Sequence, residues 1–208
     1  MMLRRFNYLA VGLATAGFVT ACSTGTSPTT TQTSGDTSTA GSATSAARPT
    51  LTDPKLQPPS QDNEYTKDSA RPKVVFDPCT WISDGDLQRA GFDPATRKRA
   101  HDIVAEYTFL TCHIDSARRL ASLESGNISL DEDKQKYAGK NIQALTINGR
   151  DAVLLQKSGD TCSVDMRTKA GYFGISVLLT SKGEETLKPC DGIVDIANIL
   201  ETSIGKDN

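Results

Sequence analysis

The sequence predicts an α+β fold: an antiparallel β-sheet meander with a C-terminal helix and a short N-terminal helix packed on it. Three observations carry this. Between residues 106 and 179, apolar side chains recur at every second position in short runs separated by turn signals, the period of half-buried strands. From Ile193 the spacing changes, and Ile193, Ile196, Ala197, Leu200 and Ile204 fall on one helical stripe. An antiparallel sheet needs one face covered, and that helix is the obvious cover.

Taken in order, the chain opens with a secretion pattern. Arg4 and Arg5 form a positive start, and Tyr8 to Thr20 is a 13-residue apolar stretch, short of the roughly 20 residues a spanning helix needs. Val19-Thr20-Ala21-Cys22 then reads as a lipobox. Residues 1–21 are expected to be a lipoprotein signal peptide whose removal leaves Cys22 first, its sulfur carrying diacylglycerol. A single acyl chain holds a protein to a membrane only marginally, whereas two hold firmly. The expected partner is therefore a cell membrane, bound from its extracytoplasmic face, with palmitate as the expected acyl type.

Residues 22–72 are expected to be the lipidated cysteine and a disordered tether. Thr24, Thr26, Thr29, Thr30, Thr31, Thr33, Thr37 and Thr39 alternate with Ser, Gly and Ala, and Pro54, Pro58, Pro59 and Pro72 stiffen the second half. So little apolar content cannot offset the entropy of ordering. About 50 flexible residues would give a reach of ~40 Å.

The domain is expected over residues 73–208. Ser83 is expected to cap a short helix through Arg89 that ends before Gly91. In 106–114, Thr108, Leu110, Cys112 and Ile114 share one strand face, with Tyr107, Phe109, Thr111 and His113 on the other. Leu120 to Ser125 is a second strand. Ser129-Leu130-Asp131-Glu132 is a capping box that starts a helix to about Tyr137. Strands at 142–147 and 152–156 flank Asn148-Gly149, a strong hairpin signal because both residues tolerate positive φ. Thr161 to Arg167 alternates with Cys162, Val164 and Met166 inward and Ser163, Asp165 and Arg167 outward, and Phe173 to Leu179 alternates likewise.

With Cys22 assigned to the lipobox, Cys79, Cys112, Cys162 and Cys190 remain, separated by 33, 50 and 28 positions. That spacing lacks the paired C-x₂₋₄-C of a four-cysteine zinc site, and an even count in an exported domain reads as two disulfides. Three connectivities are open. The preferred one, Cys79–Cys112 and Cys162–Cys190, staples each helix to the sheet, each closed loop contributing ~3–4 kcal/mol in the chain-entropy model.

From Lys73 onward there are 17 basic and 20 acidic side chains, 17 − 20 = −3. A weakly acidic domain lacks the electrostatic footprint of a nucleic-acid binder. Chemistry is hard to find. His101 and His113 are the only histidines, His113 faces away from its neighbour Cys112, and Arg97-Lys98-Arg99 beside His101 reads as a solvated face. Phosphate-cradling glycine motifs and C-x-x-C are absent. Asp131, Glu132 and Asp133 are explained by the macrodipole of the helix they begin. Trp81 beside a half-cystine reads as packing.

The lipobox, the Ser/Thr/Pro tether, Asp77-Pro78-Cys79, Cys112, Asn148-Gly149 followed by Ala152, Cys162 in a strand and Pro189-Cys190-Asp191 together resemble the actinobacterial, mycobacterium-like cell-envelope lipoproteins grouped as domain of unknown function 3558. The resemblance covers Val74 to Ile204. It implies an envelope location and a disulfide-bonded α+β domain, favours the same disulfide pairing, and brings no activity or catalytic residues.

The expected function is a non-catalytic binding or accessory domain for an envelope protein or an apolar ligand, without a cofactor or a metal. Tyr107, Phe109 and His113, on the strand face opposite Cys112, form the expected binding surface. The alternative is a periplasmic hydrolase or transferase whose carboxylates are brought together only by folding.

Overall fold

The computed structural model describes residues 51–208; the expected signal peptide, Cys22 and the first part of the tether lie outside the described residues. The second part of the expected tether corrects the domain boundary at 72/73, because residues 51–72 are hydrogen-bonded to the domain. Leu51 N donates to Thr80 O at 2.7 Å. Gln61 both donates to Val74 O (2.8 Å) and accepts from Val74 N (2.9 Å), and Asn63 Nδ2 donates to Val104 O at 3.0 Å. Composition measures how much apolar surface a segment can bury. It does not register polar side chains placed to satisfy a neighbour's backbone, which is what holds this strap.

Two short helices follow. Asp77 caps α1 (Pro78–Trp81) by accepting from Thr80 N at 2.9 Å. Ser83 caps α2 (Asp84–Arg89), which stops at Gly91, whose φ of 85° suits only glycine comfortably. The chain then enters a sheet through two two-residue strands, β1 (Lys98–Arg99) and β2 (Ile103–Val104), and two long ones, β3 (Thr108–Asp115) and β4 (Arg119–Gly126). The expected capping box is present at Ser129 and Glu132 and opens α3 (Leu130–Lys136). Strands β5 (Ile142–Ile147) and β6 (Arg150–Gln156) turn through Asn148 and Gly149, both at positive φ. Strands β7 (Thr161–Arg167) and β8 (Tyr172–Leu179), a one-turn α4 (Ser181–Glu184) and α5 (Ile193–Glu201) complete the order.

The strands form one antiparallel sheet in the order β1-β3-β4-β8-β7-β6-β5, with β2 also on β3. The meander is therefore interrupted. After β4 the chain leaves through α3 and returns at the far edge, so that β8 closes against β4 with Leu123 opposite Ile175. Alternation fixes which face a side chain occupies; it does not say which strands pair.

The inner face carries the main core. Cys112, Leu123, Ile175, Val164 and Met166 lie under α1, α2 and α5, whose Ile193, Ile196, Ala197 and Leu200 are buried as the stripe requires. Each fully buried Leu, Ile or Phe contributes ~1.5–3 kcal/mol relative to exposure. Phe76 packs edge-on to Trp81 and Phe173 at 5.7 and 5.0 Å between ring centres. Both disulfides lie on this face, Cys79–Cys112 and Cys162–Cys190, with Cα separations of 5.1 and 5.2 Å. Cys190 lies three residues ahead of Ile193, before α5 rather than opening it. No helix among the described residues is long and apolar enough to cross a membrane.

Candidate functional site

The other face of the sheet is chemically mixed. Register places Thr111 opposite Glu124, Glu124 opposite Gly174 and Gly174 opposite Asp165 in one row. The next row reads His113, Ser122, Ser176, Ser163. Half of this face is roofed by the segment around α3, through Ile128 and the fully buried Leu130, which pack on Val153, Leu155 and Tyr172. The remaining half is open. There, a groove of about 340 Å³ runs over β3, β4, β8 and β7, lined by His113, Leu120, Ser122, Thr161, Ser176 and Leu178, with Lys98 and Asp115 also on its wall.

A buried polar cluster lies where roof meets groove. Asp165 is fully buried on β7. Lys157 Nζ sits 3.6 Å from its carboxylate and donates to Ser176 Oγ, a groove residue, at 3.3 Å. Ser163 Oγ donates to both Asp165 oxygens at 3.4 Å. Gly174 makes the space, since a Cβ there would stand 2.6 Å from Asp165 Oδ1. From above, α3 contributes Asp133, which is 2% exposed. Tyr172 donates its hydroxyl to Glu124.

Burial pushes the Asp165 carboxyl up to about 7; Lys157 opposes this, and the facing Asp133 adds to it by charge and by hydrogen bonding. A protonated Asp165 offers a donor to Asp133, whose Oδ2 is otherwise buried without a partner. Burial alone would lower Lys157, but the charge of Asp165, aided by Tyr137, Asp133 and Glu124, holds it above its ordinary value. Burial, reinforced by Glu124, drives the Tyr172 phenol upward.

The expected binding surface is divided. Tyr107 is exposed and carries the Arg71 guanidinium 4.4 Å above its ring. Phe109 is half-buried and packs on Tyr172 at 6.4 Å, the two rings pressing on Gly126, where a Cβ would meet both within 2.8 Å. Only His113 reaches the groove. The physical reason is length: along an eight-residue strand one end of a face lies under the α3 roof while the other is bare. Ser163 and Asp165, expected outward, do point to this face, where both are fully buried.

The basic run is also corrected. Arg97 donates to Cys79 O, Ile82 O and Asp84, and Arg99 to Leu56 O, Asp77 and Asp102. Both guanidinium groups are buried staples of the strap and α1, and of this run only Lys98 is solvated. Asn127, in an N-x-S pattern, is buried and accepts from Thr108 N at 2.8 Å. Lys157, Asp165 and Ser176 were not singled out by sequence. The available signal was Gly174 opposite a polar strand face, a gap that something must fill.

These groups can hold and orient a ligand better than they can attack one. Lys157 is charged, so it is no base for Ser176. Asp165 and Asp133 converge as an acid–base pair would, yet neither lines the groove, and both are shut between α3 and the sheet. No hydrogen bond joins His113 to Ser122 or Ser176 among the described residues. Nor does any group of three or more His, Cys, Asp or Glu side chains there have the geometry to hold a metal.

A disulfide-stapled α+β domain, one sheet face sealed by helices and the other half open, is the class this geometry defines. The chain belongs to the family described as protein of unknown function DUF3558, whose model matches residues 17–203. No curated protein and no solved structure matches it.

Proposed function

We propose that this chain is an actinobacterial-type cell-envelope lipoprotein, anchored through diacylglycerol on Cys22, whose domain binds an apolar or amphipathic small molecule in the groove over β3, β4 and β8. Support for the anchor is the run of positive start, apolar stretch and Val19-Thr20-Ala21-Cys22. One observation carries the binding reading. Leu120, 41% exposed, and Leu178 are open inside a concavity whose floor carries three polar groups, His113, Ser122 and Ser176, in the next row of the same sheet face. Concave apolar surface with a few placed polar groups is how small-molecule sites are built, and about 340 Å³ falls within their usual size. A role in recognising an envelope protein would need a larger, flatter patch.

The reading is tested by fluorescence titration with dansylundecanoic acid. The wild-type chain is expected to saturate with one probe per chain, and Leu178→Glu to weaken binding at least about tenfold, ~1.4 kcal/mol, with unchanged circular dichroism. Equal binding by wild type and a folded Leu178→Glu variant would remove the groove from consideration.

A further inference from the structure

We propose that the free edge of the sheet, strand β5, pairs with β5 of a second copy of this chain, joining the two sheets about a two-fold axis through Ala144. The two ends of the sheet differ. At one end the outer edge of β3 is occupied by β1 and β2, two residues each, held by the buried Arg99. At the other end, among the described residues, β5 pairs only with β6.

Hairpin geometry says which groups β5 leaves free. The two-residue Asn148-Gly149 turn makes Ile147 and Arg150 the first hydrogen-bonded pair. Alternation then turns the N–H and C=O of Leu145 and Gln143 toward β6, and those of Ile142, Ala144 and Thr146 outward. Among the described residues nothing outside the β6 ladder bonds to the backbone of 142–147. Ala144 and Thr146 are exposed. Protein edges are usually protected by charge, proline or a bulge; Ile-Gln-Ala-Leu-Thr-Ile has none of these.

The segment's composition favours a second copy as the occupant. A two-fold axis at Ala144 sets this small side chain against itself, Ile142 against Thr146 and Gln143 against Leu145. No two like charges meet, since the nearest cation, Lys140, comes opposite Asn148. Like charges directly across a strand pair are destabilising, so an uncharged segment is what self-pairing requires. The outward N–H and C=O groups of Ile142, Ala144 and Thr146 supply about six hydrogen bonds across the axis.

The test uses the full chain in detergent. Residues opposed across a hydrogen-bonded antiparallel pair have Cα atoms ~5.5 Å apart, within disulfide range. Ala144→Cys is therefore expected to give a covalent dimer on mild oxidation. Thr146→Cys, which faces Ile142, should give none above the wild-type level. Ala144→Lys should sediment as a monomer, and mixing it with Ala144→Glu should restore the dimer. A folded Ala144→Cys chain that does not cross-link, equal cross-linking at both positions, or a wild-type chain that stays monomeric would overturn the proposal.

Discussion

Asp165→Asn tests the buried cluster most directly. In the folded chain the Asp165 carboxyl is raised from 3.8 to about 7, while in the unfolded chain it returns to the ordinary value. A folded pKa above the unfolded one means the folded state holds the proton more tightly. The stability this provides is complete below about pH 4, falls as pH rises toward 7 and is gone above it. Between 3.8 and about 7, at ~1.4 kcal/mol for each pH unit, the loss is about 4 kcal/mol. That figure already contains the opposing pull of Lys157. Asparagine keeps the size, is neutral at every pH and can still donate to Asp133. Urea unfolding followed by the single tryptophan, Trp81, from pH 4 to 8 gives the comparison. The difference in stability, wild type minus variant, should fall by a few kcal/mol across that window. A difference that stays flat or rises would show that Asp165 is already ionised in the folded state, paired with Lys157.

Three further outcomes follow from other parts of the molecule. Replacing both Cys162 and Cys190 by Ala should lower stability by ~3 kcal/mol, read from the urea midpoint, and the same should hold for Cys79 with Cys112. Glu132, hydrogen-bonded by Arg71 at 2.7 Å, is held down at about 2. Its contribution is present above about pH 4.5 and lost as pH falls toward 2. Arg71→Ala should return the Glu132 carboxyl toward 4.5 in an NMR titration and loosen the strap to proteolysis near Ser69. Cys22→Ala is expected to move the protein from the membrane fraction to the soluble one; unchanged retention would refute the lipid anchor.

What the sequence made legible was local. Asn148-Gly149, the Ser129–Glu132 capping box and the period-two runs each announce an element through a few neighbouring residues, and each element is present. The preferred cysteine pairing is the one observed, because each pair joins elements the pattern already placed on one face. What was not legible depended on residues far apart. The β4–β8 pairing is one case. The docking of 51–72 is another, because it rests on individual hydrogen bonds from Gln61, Asn63 and Arg71. Asp165 is the clearest. A period of two put it on the face away from Cys162, but only α3, arriving from outside the strand, decides that this part of the face is dry. The groove is what α3 leaves uncovered, so it was equally hidden.

The two faces of the sheet are therefore fastened by different chemistries. Both disulfides lie on the inner face; α3 is held on the outer face by packing, the Arg71–Glu132 pair and the carboxyls of Asp133 and Asp165. A reductant loosens the first attachment and leaves the second, whereas a change of pH does the reverse. Hydrogen exchange should accordingly find α3 the first regular element to open above neutrality, while α1 and α5 remain shut until their cystines are cut.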